Sequence, residues 1–154
     1  MVDDLRFVEI LLTLQIHFNI MFDRDEFERW MAQASDTLKS ARQDYSIKSY
    51  NWCCFKAQQA AEYAVKALLK GLGISAYGHS IVKLFKDLET YNLDVQNLTS
   101  CARTLDRHYV PARYPDAFTE GSPFEFYDDK TAHEALGCAE KICDFCITMG
   151  KKYE

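Results

Sequence analysis

All three prolines of the chain, Pro111, Pro115 and Pro123, fall between positions 111 and 123. Proline lacks a backbone N–H and clashes with the preceding helical turn, so no helix runs through this stretch. Helical periodicity is strong on both sides of it. The chain is thereby confined to helices before and after one long irregular connection. Inside a compact helical domain such a connection is more often functional than accidental. Its core is Arg107-His-Tyr-Val-Pro-Ala-Arg-Tyr-Pro-Asp-Ala-Phe118, which with Arg103 just upstream gathers Arg103, Arg107, His108 and Arg113 in a chain of net charge −5.

At 154 residues the chain is expected to form one domain large enough to bury a real core. Its acidic balance argues against a general nucleic-acid coat, which needs a basic face, but leaves room for a local basic site. Six cysteines without a secretory signal read as free thiols in a reducing compartment, so a cytoplasmic location is expected. The apolar stretch Leu5–Phe22 is interrupted by Glu9, Gln15, His17 and Asn19 and is expected to be neither a signal peptide nor a membrane span.

Residues 12–22 alternate, with Leu12, Leu14, Ile16, Phe18, Ile20 and Phe22 on one side, which is the period of a strand. A lone strand leaves its backbone unpaired, so a helix, or an upstream extension preceding a start at Met21, are equal readings. Residues 1–22 are therefore set apart as an N-terminal extension, and residues 23–154 as the bundle domain. From Asp25 the spacing becomes helical: Phe27, Met31, Ala34, Leu38, Ala41 and Tyr45 follow a 4-3-4-3-4 rhythm. A second helix is predicted from about Ser49 to Leu72, lined with Ala57, Ala60, Ala61 and Ala64 and stopped by Gly71 and Gly73. Ser80 opens a shorter helix. Asp94 opens another, which carries Leu98, Leu105 and Tyr109 and ends at Pro111. The last runs from Asp128–Thr131 to about Lys152. The expected fold is all-α, an up-and-down bundle of about five helices.

Three blocks carry a family resemblance: Ala57-Gln-Gln-Ala-Ala-Glu-Tyr-Ala-Val-Lys-Ala-Leu-Leu-Lys70, His79-Ser-Ile-Val-Lys-Leu84, and Leu105-Asp-Arg-His-Tyr-Val-Pro-Ala-Arg-Tyr-Pro-Asp116 followed by an Ala-rich last helix. Over about residues 25–150 the chain resembles the HEPN domain, the higher-eukaryote and prokaryote nucleotide-binding helical fold. The resemblance implies a homodimer, a minimal nucleotidyltransferase as partner, and a role in nucleotide or RNA metabolism. Many such proteins are RNA-cutting toxins of toxin–antitoxin or defence modules that use an Arg, four to six residues, then a His.

Arg103-Thr-Leu-Asp-Arg-His108 fits that spacing. Metal-independent transesterification needs a His to move the 2′-hydroxyl proton and an Arg to hold charge on the phosphate. On one helix the two residues would lie about one and a half turns apart; His108 capping a helix end is the structural alternative. Arg113, between two prolines, is the stronger binding candidate. It can grip a phosphate bidentately while Tyr109 or Tyr114 stacks on a base. Its structural alternative is an ion pair with Glu62 or Asp116. Arg107, Asp116, Glu62 and Lys66 complete the candidate ligand-binding set, with Lys66 and Lys70 read as helix lysines adding positive field. His79 resembles the family's turn-to-helix histidine and suits capping as well as ligand contact. Cys138-x4-Cys143-x2-Cys146 has an iron–sulfur spacing, but all three residues fall in a helical pattern, so buried apolar thiols are expected and no metal or cofactor. Three functions remain: a nucleotide- or single-stranded-RNA-binding dimer with a nucleotidyltransferase-type partner, an RNase toxin, and a dimerising adaptor without ligand. No membrane association is expected.

Overall fold

The structure, a computed structural model, describes residues 21–153. The alternating stretch up to position 20 lies outside the described residues. Six α-helices and no strands make up the described chain: α1 (Arg24–Ser46), α2 (Tyr50–Gly71), α3 (Ile81–Thr90), α4 (Thr99–Asp106), α5 (Pro123–Phe126) and α6 (Asp129–Lys151). The expected all-α bundle is the observed architecture.

α1 buries Phe27, Met31, Ala34, Leu38 and Ala41, the predicted stripe. A three-residue link with Lys48 at φ 62° turns the chain back into α2. α2 is the central element, because α1, α3, α4 and α6 all pack on it. Ala57, Ala60, Ala61 and Ala64 are wholly buried there, and such small side chains let neighbouring backbones approach closely. α6 covers the α1–α2 pair with Ala132, Ala135, Ala139, Ile142 and Cys146. Gly150 leaves the space filled by the Phe27 ring, which a Cβ there would strike. Cys138, Cys143 and Cys146 are buried on this face, and burial pushes the Cys143 thiol up to about 12, so they act as small apolar groups.

Two expectations are corrected beyond α3. The helix predicted from Asp94 to Tyr109 is shorter: a 3-10 turn over Gln96–Leu98 leads into α4, which stops at Asp106. The backbone tightens ahead of Pro111, which has no N–H to continue the helical pattern and whose ring clashes with the preceding turn. The Asp106 carboxylate turns away to cap α3, accepting from the Ser80 hydroxyl (2.8 Å) and from the backbone N–H groups of Ile81 (2.8 Å) and Val82 (3.1 Å). After it, His108 N–H bonds back to Leu105 and Tyr109 N–H to Asp106, tightening the chain into turns. The long connection is also more regular than expected. A 3-10 turn spans Pro115–Ala117, and Ser122 and Glu125 form a capping box that starts α5. Asp106→Ala strips three hydrogen bonds from one helix start, and is expected to cost about 1–2 kcal/mol, read as a lower urea midpoint.

Candidate functional site

α2 carries an aromatic and polar stripe at helical spacing. Trp52, Phe55, Gln59, Glu62 and Lys66 succeed one another at intervals of three or four residues. The Glu62 carboxylate is buried. It accepts from Lys66 Nζ (2.7 Å), Gln59 Nε2 (3.1 Å) and Gln58 Nε2 (3.3 Å), and lies 3.2 Å from His79 Nδ1. Gln58 also donates to the His79 carbonyl (2.8 Å), tying the turn before α3 to α2. Burying a carboxylate is costly unless it is paired and hydrogen-bonded, and here each oxygen has two partners. Lys66 is itself buried rather than solvated, and Lys70 lies over the Trp30 ring.

His79 remains 57% exposed at its side chain and stacks on Tyr109, with ring centroids 4.7 Å apart and planes 15° from parallel. Tyr109 in turn lies beneath Arg113. The guanidinium is 4.3 Å from the Phe55 ring centre, 4.5 Å from that of Tyr109 and 4.9 Å from that of Tyr114, while Nε donates to the Tyr109 carbonyl at 2.8 Å. An ion pair of Arg113 with Glu62 or Asp116 is not formed. The terminal amino groups of Arg113 make no hydrogen bond or ion pair among the described residues. Asn51, buried on α2, holds the segment from beneath by donating to the Ala112 carbonyl (3.1 Å).

Arg113, Tyr109 and Tyr114 are thus brought together with His79 and the linked Glu62–Lys66 pair, while Asp116 is exposed and takes no part in these contacts. Phe55 and Trp52 join the site without having been singled out in the sequence. Their place on the same three-four spacing as Gln59 and Glu62 was the available signal.

Arg103, Arg107 and His108 occupy different ground. Arg103 lies exposed in the last turn of α4, and His108 lies beyond the helix end, so the two do not share one helix as expected. His108 and Arg107 line an open cleft of about 380 Å³ with Thr104, Phe126, Tyr127 and Glu134. His108 Nδ1 is 3.1 Å from the Tyr127 hydroxyl. Burial, with Arg107 adding to it, pulls the His108 pKa down to about 4, and Glu134 opposes this only in part. Burial raises the Tyr127 phenol. At neutral pH both side chains are uncharged. A histidine whose folded pKa lies below its ordinary 6.5 binds its proton more readily when unfolded. Its contribution to stability is therefore present above about pH 6.5 and lost as pH falls toward 4. The urea midpoint should drop across that window, and His108→Gln should flatten the drop.

Among the described residues no three His, Cys, Asp or Glu side chains group as metal ligands, and no helix is long and apolar enough to cross a membrane.

The described residues thus define an all-α bundle that displays an arginine braced by aromatic rings on the turn after its fourth helix. The chain belongs to the HEPN domain family, whose model matches residues 27–152. Its fold is similar to that of a Thermus thermophilus protein (39% identity, TM-score 0.76, 79% of this chain and 96% of that one). It is also similar to an archaeal HEPN homologue (38%, 0.68, 80% and 97%) and to a HEPN domain protein of Thermotoga maritima (35%, 0.64, 79% and 96%). A Methanocaldococcus jannaschii protein provisionally named a toxin is 26% identical over 136 residues, covering 82% of this chain and 87% of that protein. Human sacsin is 32% identical over 136 residues, covering 80% of this chain, which spans only 3% of sacsin's length.

Proposed function

We propose that this HEPN domain binds a nucleotide or single-stranded RNA through the Arg113 face, as a homodimer working beside a nucleotidyltransferase-type protein. The observation that carries the reading is the state of Arg113. Its guanidinium is held over Phe55, Tyr109 and Tyr114 with one nitrogen tied to the backbone and its terminal amines uncommitted. An arginine held in this way loses little side-chain entropy on gripping a phosphate. Tyr114, 51% exposed, and Trp52, 45% exposed, offer rings on which bases stack. The test is titration of labelled single-stranded RNA, ATP and GTP into the full chain and into Arg113→Glu. Unchanged affinity in the variant would sink this reading. A neighbouring nucleotidyltransferase that co-purifies with the domain would support the partner.

A second reading, a metal-independent RNase toxin using Arg103 and His108, is favoured by the open cleft at His108 and by the toxin name of the Methanocaldococcus relative. It ranks behind binding for a physical reason. A base with a pKa near 4 supplies little driving force for proton abstraction at neutral pH. RNA cleavage by the metal-free protein that disappears in His108→Ala would reverse that order.

A further inference from the structure

The His108 cleft has a composition that the Arg113 face lacks. Phe118 and Phe126 stack on each other within it, ring centroids 4.3 Å apart and planes 6° from parallel, and Phe126 keeps 54% of its surface exposed. That is a flat aromatic wall with an open side. Among the lining residues the permanent cation is Arg107 and the carboxylate is Glu134. Arg107 is steadied by a 3.3 Å hydrogen bond from its Nη2 to the Thr104 hydroxyl. Glu134 makes no hydrogen bond or ion pair among the described residues, although its charge reaches His108. Thr131, one turn before it on α6, lines the same cleft.

A ligand that fits these groups is flat, carries an anionic group for Arg107, and presents neutral donors to Glu134. A cationic side chain would suit Glu134 but be repelled by Arg107. Nucleotides meet all three conditions, and the bases differ at the edge that Glu134 would read. Guanine has two adjacent donors, N1–H and the exocyclic amine, spaced for both oxygens of one carboxylate. Adenine presents an acceptor at N1 beside a single amine, so one carboxylate oxygen would face a lone pair. The volume of about 380 Å³ lies at the small end of the roughly 300–1,000 Å³ typical of small-molecule sites, as a mononucleotide requires.

We infer that this cleft is a base-selective subsite that holds a guanine nucleotide, the base stacked on Phe126 with its donor edge on Glu134 and the phosphate on Arg107. This rests on the nucleotide-binding reading above and adds to it a second place of contact and a base preference.

Calorimetric titration of the full chain with GMP, IMP and AMP tests it. GMP should bind roughly tenfold or more tighter than AMP, the discrimination expected of one bidentate base contact, with IMP between them because it retains N1–H but lacks the amine. Glu134→Gln should remove the preference by weakening GMP and strengthening AMP, because an amide can donate to adenine N1 while accepting from its amine, and Phe126→Ala should weaken all three. Equal affinities, a preference surviving in Glu134→Gln, or no mononucleotide binding at all would each overturn the subsite. The Arg113→Glu variant separates the two readings. If base preference is absent but RNA binding is lost in Arg113→Glu, the Arg113 reading stands alone. If base preference persists in Arg113→Glu and vanishes in Glu134→Gln, the cleft stands and the Arg113 reading falls.

Discussion

Glu62→Leu is expected to lower stability by about 3 kcal/mol, within the range of roughly 3–5 kcal/mol for breaking a buried ion pair by removing one partner. The carboxylate is 1% exposed and the Lys66 side chain 10%. Leucine would fill the space but leave the ammonium without its 2.7 Å partner. Lys66 can relieve part of that cost by extending toward water, which sets the estimate at the lower end. Gln58, Gln59 and His79 would lose an acceptor as well. For a domain of this size the loss corresponds to about 6–12 °C in Tm. Adding Lys66→Met should restore much of it, because replacing both ions with apolar groups removes the charge left unpaired. A double variant less stable than Glu62→Leu alone would show that the pair is not the source of the cost. The network also sets His79 against Tyr109, so Glu62→Leu should loosen the Arg113 face and weaken ligand binding beyond its effect on folding.

Arg113→Glu is expected to reduce RNA or nucleotide affinity by about a hundredfold or more at low salt. A charge-assisted bidentate phosphate contact is replaced by repulsion, each effect being of order 1–3 kcal/mol. Arg113→Lys separates charge from geometry. The ammonium keeps the charge but loses the planar fork that lies over Phe55 and Tyr109 and reaches the Tyr109 carbonyl. It should bind more weakly than wild type and more tightly than Arg113→Glu. The salt dependence of RNA binding should be shallower in both Arg113→Ala and Arg113→Glu, since a phosphate contact releases counterions. If Arg113→Glu lowers Tm while leaving affinity untouched, the residue braces the segment and does not hold ligand.

Much of the bundle is legible in the chain. The 4-3-4 stripe from Phe27 to Tyr45 and the alanines of α2 predict which faces are buried, because a helix repeats its inward positions at that spacing whatever it packs against. Ser80 and Asp128 mark helix starts for an equally local reason: each side chain accepts from a backbone N–H three residues on. The end of α4 is less plain. Periodicity carries that helix on to Tyr109, but it stops at Asp106, where the His108 and Tyr109 N–H groups bond back three residues and the Asp106 carboxylate is committed to α3, about twenty-five residues earlier in the chain.

The candidate site divides in the same way. Prolines flanking Arg113, with tyrosines beside it, mark a cationic and aromatic segment that cannot be helix, and the residues alone are enough to single it out. What Arg113 meets is another matter. Its contact with Phe55, the binding of Glu62 by Lys66 and His79 rather than by Arg113, and the neutral His108 beside Tyr127 depend on which helices pack together. Sequence by itself determined five of the six helices of the described residues, their buried faces, the family and the segment that bears the basic residues, because these follow from periodicity, backbone sterics and motif. Only the tertiary structure decided the partner of each polar group and that the helix carrying Arg103 ends before His108. A buried charge or a titrating imidazole is governed by the few atoms within hydrogen-bonding distance, and those come from remote parts of the chain.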